Sequence, residues 1–128
     1  MPRSVPELSP FELQCLRLLA HRREATVREL LSDAPAGASY STVRKIVERL
    51  EDKAAIQRVR REGRAWVYRC RIAPGTVVVR QVRRLLDALF DGAAGPLVAQ
   101  LADIGALSLE DLAEAERRLR QGGARQEP

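Results

Sequence analysis

The stretch VRREGRAWVYRC, Val59 to Cys70, decides how this chain is read. Val59, Trp66, Val67 and Tyr68 favour extended backbone, and Gly63 supplies the positive φ that a tight turn requires. Together with AIQRVRR, Ala55 to Arg61, they predict a β-hairpin turning at Glu62–Gly63. On a two-residue turn Arg61 and Arg64 stand directly opposite each other, and like charges facing across a hairpin weaken it. The charge is also lopsided. Between Gln57 and Arg71 six arginines meet the single Glu62, an excess of five that equals the formal +5 of the whole chain. A polyanion laid on the turn relieves that repulsion. Trp66 and Tyr68 are expected to pack the root of the hairpin onto the third of the helices predicted upstream rather than to stack on bases.

Three helices are predicted upstream. Ser9 caps the first, Pro10 suits its opening position because the missing N–H had no partner there, and Glu12 completes a capping box. Leu13, Leu16, Leu19 and Ala20 then follow at helical spacing, placing helix 1 over Pro10 to Arg22. Thr26 and Glu29 repeat the device for a short helix 2 with Val27, Leu30 and Leu31, which APAG, Ala34 to Gly37, stops. Helix 3 begins at Ser39 and runs to about Asp52, its apolar face being Val43, Ile46, Val47 and Leu50. The opposite side carries Ser41, Lys45 and Glu48, flanked by Thr42, Arg44 and Arg49. Short hydroxyls at the first turn with cations one turn later suit a helix that aims its start at phosphates and base edges. The same residues equally suit any solvated face, so the hairpin's charge decides between the two. Glu48 fits a DNA face less well and is expected to turn away or to hold Arg44 or Lys45 in place.

Downstream, Pro74–Gly75 breaks the chain and marks a domain boundary. Val78, Val82, Leu85, Leu86 and Leu89 form an apolar stripe closed by Gly92; Leu97, Val98, Leu101 and Ile104 suggest another short helix after GAAGP. A last helix starts at the Ser108 cap, with acidic residues in its first turn and arginines in its final one, the order that complements the helix dipole. A lone helix from Val77 to Leu89 leaves a long apolar strip with little in a short chain to cover it, which points to a second subunit.

The composition excludes several classes. With 45% hydrophobic and 30% charged residues among 128 the chain is expected to fold, and with 4% aromatics its cores must be aliphatic. No apolar run approaches the ~18 residues of a membrane span, and no signal-peptide core stands at the N-terminus, so a cytoplasmic protein without membrane insertion is expected. Cys15 and Cys70 lie far apart in sequence, as reduced thiols; Cys15 is expected to be a small buried residue. With one histidine, His21, and no clustered cysteines, no zinc site, other metal site, cofactor site or Ser-His-Asp arrangement is readable, and no enzyme is expected.

Three helices followed by a hairpin is the layout of a winged helix-turn-helix. The expected fold is mainly α with a small β-hairpin: a winged-helix DNA-binding domain over 1–73, with 1–8 a loose arm, a helical dimerization domain over 74–122, and a disordered tail over 123–128. In these features the sequence resembles the penicillinase-repressor (BlaI/MecI/CopY) family. TVRKIVERL, Thr42 to Leu50, and REGRAWVY, Arg61 to Tyr68, carry most of the likeness. RRLLDALFDGAAGPLVAQL, Arg83 to Leu101, and LSLEDLAEAERRL, Leu107 to Leu119, extend it to about Leu8–Gln121. The resemblance implies a homodimeric transcriptional repressor whose C-terminal helices interlock two subunits and which binds a palindromic double-stranded operator, with half-sites spaced by whole turns of ~10 bp. Residues expected at DNA are Ser39, Tyr40, Ser41, Thr42, Arg44, Lys45, Arg49, Arg60, Arg61 and Arg64. Those expected at the dimer contact are Val78, Val82, Leu85, Leu86, Leu89, Leu97, Val98, Leu101, Leu112 and Leu119. Some members of the family are inactivated when a membrane-anchored sensor metalloprotease causes a cut in the dimerization segment. The matching bond here is Gln100–Leu101, where the residues differ from the Asn-Phe pair of that cleavage. Copper-responsive relatives carry Cys-x-Cys pairs near the C-terminus, and this chain has no cysteine after Cys70. From a different class, the same scaffold also serves as an interaction module gripping an acidic protein partner; a small-ligand sensor with a pocket between the two halves is a third reading that no residue singles out.

Overall fold

The structure, a computed structural model, describes residues 5–122. The remainder of the loose arm (1–4) and the tail expected over 123–128 lie outside the described residues. The elements follow as α1 (Pro10–Arg22), α2 (Val27–Asp33), α3 (Tyr40–Asp52), β1 (Ile56–Glu62), β2 (Ala65–Cys70), α4 (Pro74–Phe90), α5 (Ala94–Asp103) and α6 (Leu109–Arg120). This is the mainly helical fold with one small hairpin that the sequence predicts. Two compact units divide the chain, the first ending at Val82 and the second starting at Arg83.

The first unit is organised by its helix starts. Ser9 Oγ accepts from the Glu12 N–H at 3.2 Å while a Glu12 carboxylate oxygen accepts from the Ser9 N–H at 2.9 Å, a reciprocal capping box. Thr26 and Glu29 build the same device on α2, at 3.2 and 2.8 Å. Ser39 caps α3 by accepting from the Thr42 N–H at 3.1 Å. With their starts fixed, the three helices turn Leu16, Leu19, Leu30, Val47 and Leu50 into one core, and Ile56 and Val77 close it. Each fully buried aliphatic side chain of this kind contributes roughly 1.5–3 kcal/mol.

Glu12 does more than cap. It is buried, and Lys53, just past the end of α3, donates to its carboxylate at 2.7 Å and to the Glu7 carbonyl at 2.9 Å, tying the end of α3 to the start of α1. Burial alone would raise the Glu12 carboxyl, but the Lys53 hydrogen bond and the Ser9 cap outweigh it and hold the group below the ordinary glutamate value.

Two boundaries differ from those drawn on the sequence. Leu8, assigned to the loose arm, is buried and its N–H donates to the Gln81 side chain at 2.8 Å, so the arm is fastened at its inner end. The first unit also runs past the Pro74–Gly75 break, because Val77 on the opening turns of α4 is fully buried in its core.

The hairpin is antiparallel and its register corrects the expected one. Arg61 pairs with Trp66 and Glu62 with Ala65, leaving Gly63 and Arg64 as the turn. Arg61 and Arg64 therefore do not oppose each other, and the repulsion inferred for that pair is absent. Gly63 has φ of 63°, the left-handed conformation the turn needs. A bulge between Arg58 and Arg60 leaves Val59 without a cross-strand partner. The hairpin's root is anchored by Ala25, whose N–H and C=O bond the Tyr68 backbone at 3.1 and 2.9 Å.

The second unit contains the end of α4, then α5 and α6. Ser108 caps α6 in a box with Asp111, at 3.0 and 2.9 Å, and Glu114 and Glu116 pair along the helix with Arg117, Arg118 and Arg120. No residue of α5 or α6 is buried. Of the stripe expected at a dimer contact, Val82, Leu85, Leu89, Val98, Leu112 and Leu119 are exposed, whereas Val78, Leu86, Leu97 and Leu101 are half-buried. The Gln100–Leu101 bond lies inside α5. Among the described residues no single helix is long and apolar enough to cross a membrane.

Candidate nucleic-acid interface

The start of α3 is a cluster of exposed hydroxyls. Ser39 Oγ lies 2.8 Å from Thr42 Oγ1 and 3.3 Å from Ser41 Oγ. They surround the free N–H groups of a helix start, where the backbone dipole favours an anion. Tyr40 is exposed beside them, and the Arg28 guanidinium of α2 sits 5.4 Å from the centre of its ring. One turn on, Glu48 pairs with Arg44 at 3.3 Å, the holding role the sequence allowed it. Lys45 and Arg49 are exposed, and among the described residues no carboxylate lies within ion-pair distance of either.

The bulge at Val59 shapes the wing. Alternation along an unbroken strand would send Arg58 and Arg61 to opposite faces. The extra residue brings both onto the face of Trp66, their guanidinium carbons 4.9 and 5.0 Å from its ring centre. Arg58 also reaches Glu51 of α3 at 2.8 Å. Tyr68, the other aromatic on this face, is buried, which raises its phenol above the ordinary value. Tyr68 is part of the core of the first unit, whereas Trp66 sits one pair from the turn and carries two arginines on its ring.

Arg60 is on the other face, paired across the strands with buried Val67. Hydrogen bonds to Glu24 at 2.5 Å and to Glu62 at 2.9 Å raise its pKa and commit its charge. It thus stands apart from Arg61, its neighbour in the strand, because successive residues point to opposite faces of the hairpin. Arg61 and Arg64 have no carboxylate within ion-pair distance among the described residues.

One cleft of about 400 Å³ joins the two elements: Tyr40, Arg44 and Glu48 of α3 line one wall, and Arg58, Arg64 and Trp66 of the wing line the other, with Arg28 at the edge. Of the residues expected at DNA, the cleft brings together Tyr40, Arg44 and Arg64, while Ser39, Ser41, Thr42, Lys45, Arg49, Arg60 and Arg61 do not line it. Arg28 and Arg58 are not among the residues expected at DNA. Nothing local marks Arg28 beyond its place in the first turn of α2, and Arg58 can be placed only by knowing the bulge.

The two thiols stand outside this surface. Both are free, and burial pushes Cys15 and Cys70 up to about 11, so each is protonated near neutral pH. Cys15 is the small buried residue expected of it. No group of three or more histidines, cysteines, aspartates or glutamates that could hold a metal ion occurs among the described residues.

Comparison with known proteins adds two findings. The family model described as penicillinase repressor matches residues 8–121. Among solved structures, a cysteine-to-serine mutant of MarR from E. coli aligns over 89% of this chain and 76% of its own, with TM-score 0.52 and 16% identity. The same mutant complexed with operator DNA covers 89% and 74%, with TM-score 0.50 and 15% identity. Wild-type MarR from E. coli, in its apo form, gives TM-score 0.52 at 16% identity, covering 89% and 76%. At such identities the likeness is one of fold, a winged helix with added helices. No curated protein sequence matches the chain.

Proposed function

Because this chain belongs to the penicillinase repressor family, we propose that it is a homodimeric, sequence-specific repressor that grips operator DNA with α3 and the wing together. The observation that carries this reading is the shared cleft, in which Tyr40 and Arg44 of α3 meet Arg58, Arg64 and Trp66 of the wing, with the exposed hydroxyls of Ser39 and Ser41 next to Tyr40 in the chain. In this assignment Ser39, Ser41 and Thr42 approach the duplex first, and Lys45 and Arg49 follow along α3 in the major groove. Arg61 and Arg64 reach the backbone or the minor groove beside it. Tyr40 and Arg44, on the cleft wall, serve phosphates, with Arg28 as a further cation. Arg60 is left out of the contact, its charge being satisfied by two carboxylates.

The dimer follows from the second unit. Three helices whose leucines and valines stay exposed do not make a stable monomeric fold, and a second copy covers them. A two-fold pair presents two α3 helices to two half-sites of a palindrome. Relief by cutting at Gln100–Leu101, through a membrane sensor metalloprotease system, is the regulation the family resemblance implies. Because that bond is helical, α5 has to open before a protease can seat it.

The test is retardation of a duplex from the protein's own promoter against random duplex of equal length. Selective retardation supports the repressor; equal retardation of both, or capture of an acidic protein with neither duplex bound, rejects it. Thr42→Ala and Lys45→Ala are expected to change which operators are preferred. Equal loss on every duplex would remove α3 as the reader of bases.

A further inference from the structure

The connection from α2 to α3 is Ala34-Pro35-Ala36-Gly37-Ala38, and none of these side chains is long enough to cover the core beneath. The result is a cavity of about 280 Å³ in the first unit, open to solvent and almost wholly apolar, walled by Phe11, Leu18, Leu30, Val43 and Ile46 over Cys15. Phe11 stands at its rim 70% exposed, an aromatic that the fold itself does not use. The cavity shares Phe11, Thr42 and Ile46 with a second basin of about 240 Å³, whose remaining wall includes Lys45 and Arg49. Those two cations have no ion-pair partner among the described residues. An apolar slot therefore continues into a positively charged mouth, and the mouth lies on the side of α3 that carries Lys45.

We propose that this groove binds a small amphipathic carboxylate, its aromatic or aliphatic body lodged against Phe11, Leu18 and Ile46 and its carboxylate held by Lys45 and Arg49. Charge complementarity selects an acid over a neutral body of the same size, because hydrogen bonds between ionised partners are the stronger ones. The apolar lining selects a molecule with a ring or a short chain over a bare anion. Thr42, Lys45 and Arg49 belong also to the DNA-facing side of α3, so the ligand and the duplex compete for the same cations; this consequence rests on the repressor reading, whereas the binding itself does not.

The probe is 4-phenylbutyrate, with 4-phenylbutanol as the same body without charge, titrated into the full chain and followed by the NMR signals of Thr42, Val43 and Ile46. The acid is expected to shift those signals saturably and to bind about tenfold or more tightly than the alcohol, a preference that Arg49→Gln reduces. Phe11→Ala, at an exposed rim position, weakens both. Ala36→Leu fills the cavity from an exposed loop; it is expected to retain operator binding and to lose the probe's ability to release the operator. No saturable shift up to about 10 mM overturns the site. Equal affinity for acid and alcohol overturns the cationic mouth, and an Ala36→Leu protein released like wild type overturns the cavity. A chain that binds the probe but no operator refutes the repressor and leaves the ligand site standing.

Discussion

The two units of this chain solve the problem of apolar surface in opposite ways. In the first, α1, α2 and α3 fold Leu16, Leu19, Leu30 and Leu50 to 0 or 1% exposure, and buried Ile56 of the hairpin closes the same core. In the second, helices with stripes just as regular bury nothing, and Leu89 and Leu119 remain 69% and 66% exposed. The difference teaches that periodicity alone announces a helix face without saying what covers it. A stripe on a helix with neighbours from its own chain becomes a core, and one without them stays exposed, here as the proposed dimer contact.

That contrast can be broken at its strongest point first. Leu50→Ala in the winged unit is expected to cost about 2–5 kcal/mol of stability, a loss independent of protein concentration, as read by thermal or denaturant unfolding. Leu85→Glu with Leu89→Glu is expected to do something different. Sedimentation should report a monomer while helical and hairpin signatures of the winged unit persist, and operator affinity should fall by about 10²-fold or more as the two half-sites lose their linkage. If instead the double variant stays dimeric, the exposed stripe is not the contact and the comparison fails.

Much of the winged unit is legible in the sequence because its signals are local. Ser9 with Glu12, Thr26 with Glu29, and Ser39 each lie within three residues of the group they satisfy, so the helix starts can be read in order. The hairpin is legible as an element but not in register. A single unpaired residue, Val59, puts Arg58 on the same face as Arg61, and the mixed charges on both strands hide that shift. Arg60 reads as a DNA contact because nothing near it in sequence hints at Glu24, which comes from the connection after α1. The Glu12–Lys53 brace, between residues far apart in the chain, is invisible in the sequence for the same reason.

Two smaller effects sharpen the contrast within the first unit. Ser39→Ala removes the α3 cap and is expected to cost about 1 kcal/mol, and operator affinity should fall as well because the hydroxyl cluster is lost. Acid should act through Glu12. Its folded carboxyl lies below the ordinary value, so the stability it contributes is present above the unfolded glutamate value and is lost as pH falls through the depressed folded one. Glu12→Gln is therefore expected to flatten the acid side of the stability profile. A profile unchanged by that substitution shows that Lys53 holds α1 and α3 together without needing the charge.

The claim on which the functional account depends is that the wing's tip and the start of α3 meet one duplex. The most direct measurement is the salt dependence of operator affinity for the wild-type chain and for Arg61→Ala, Arg64→Ala and the pair. Each phosphate neutralised releases counterions with a slope near ~0.9, so each single variant is expected to flatten log K against log salt by about one unit and the pair by about two. An unchanged slope in the pair, with affinity intact, would mean that the arginine tip never reaches the DNA.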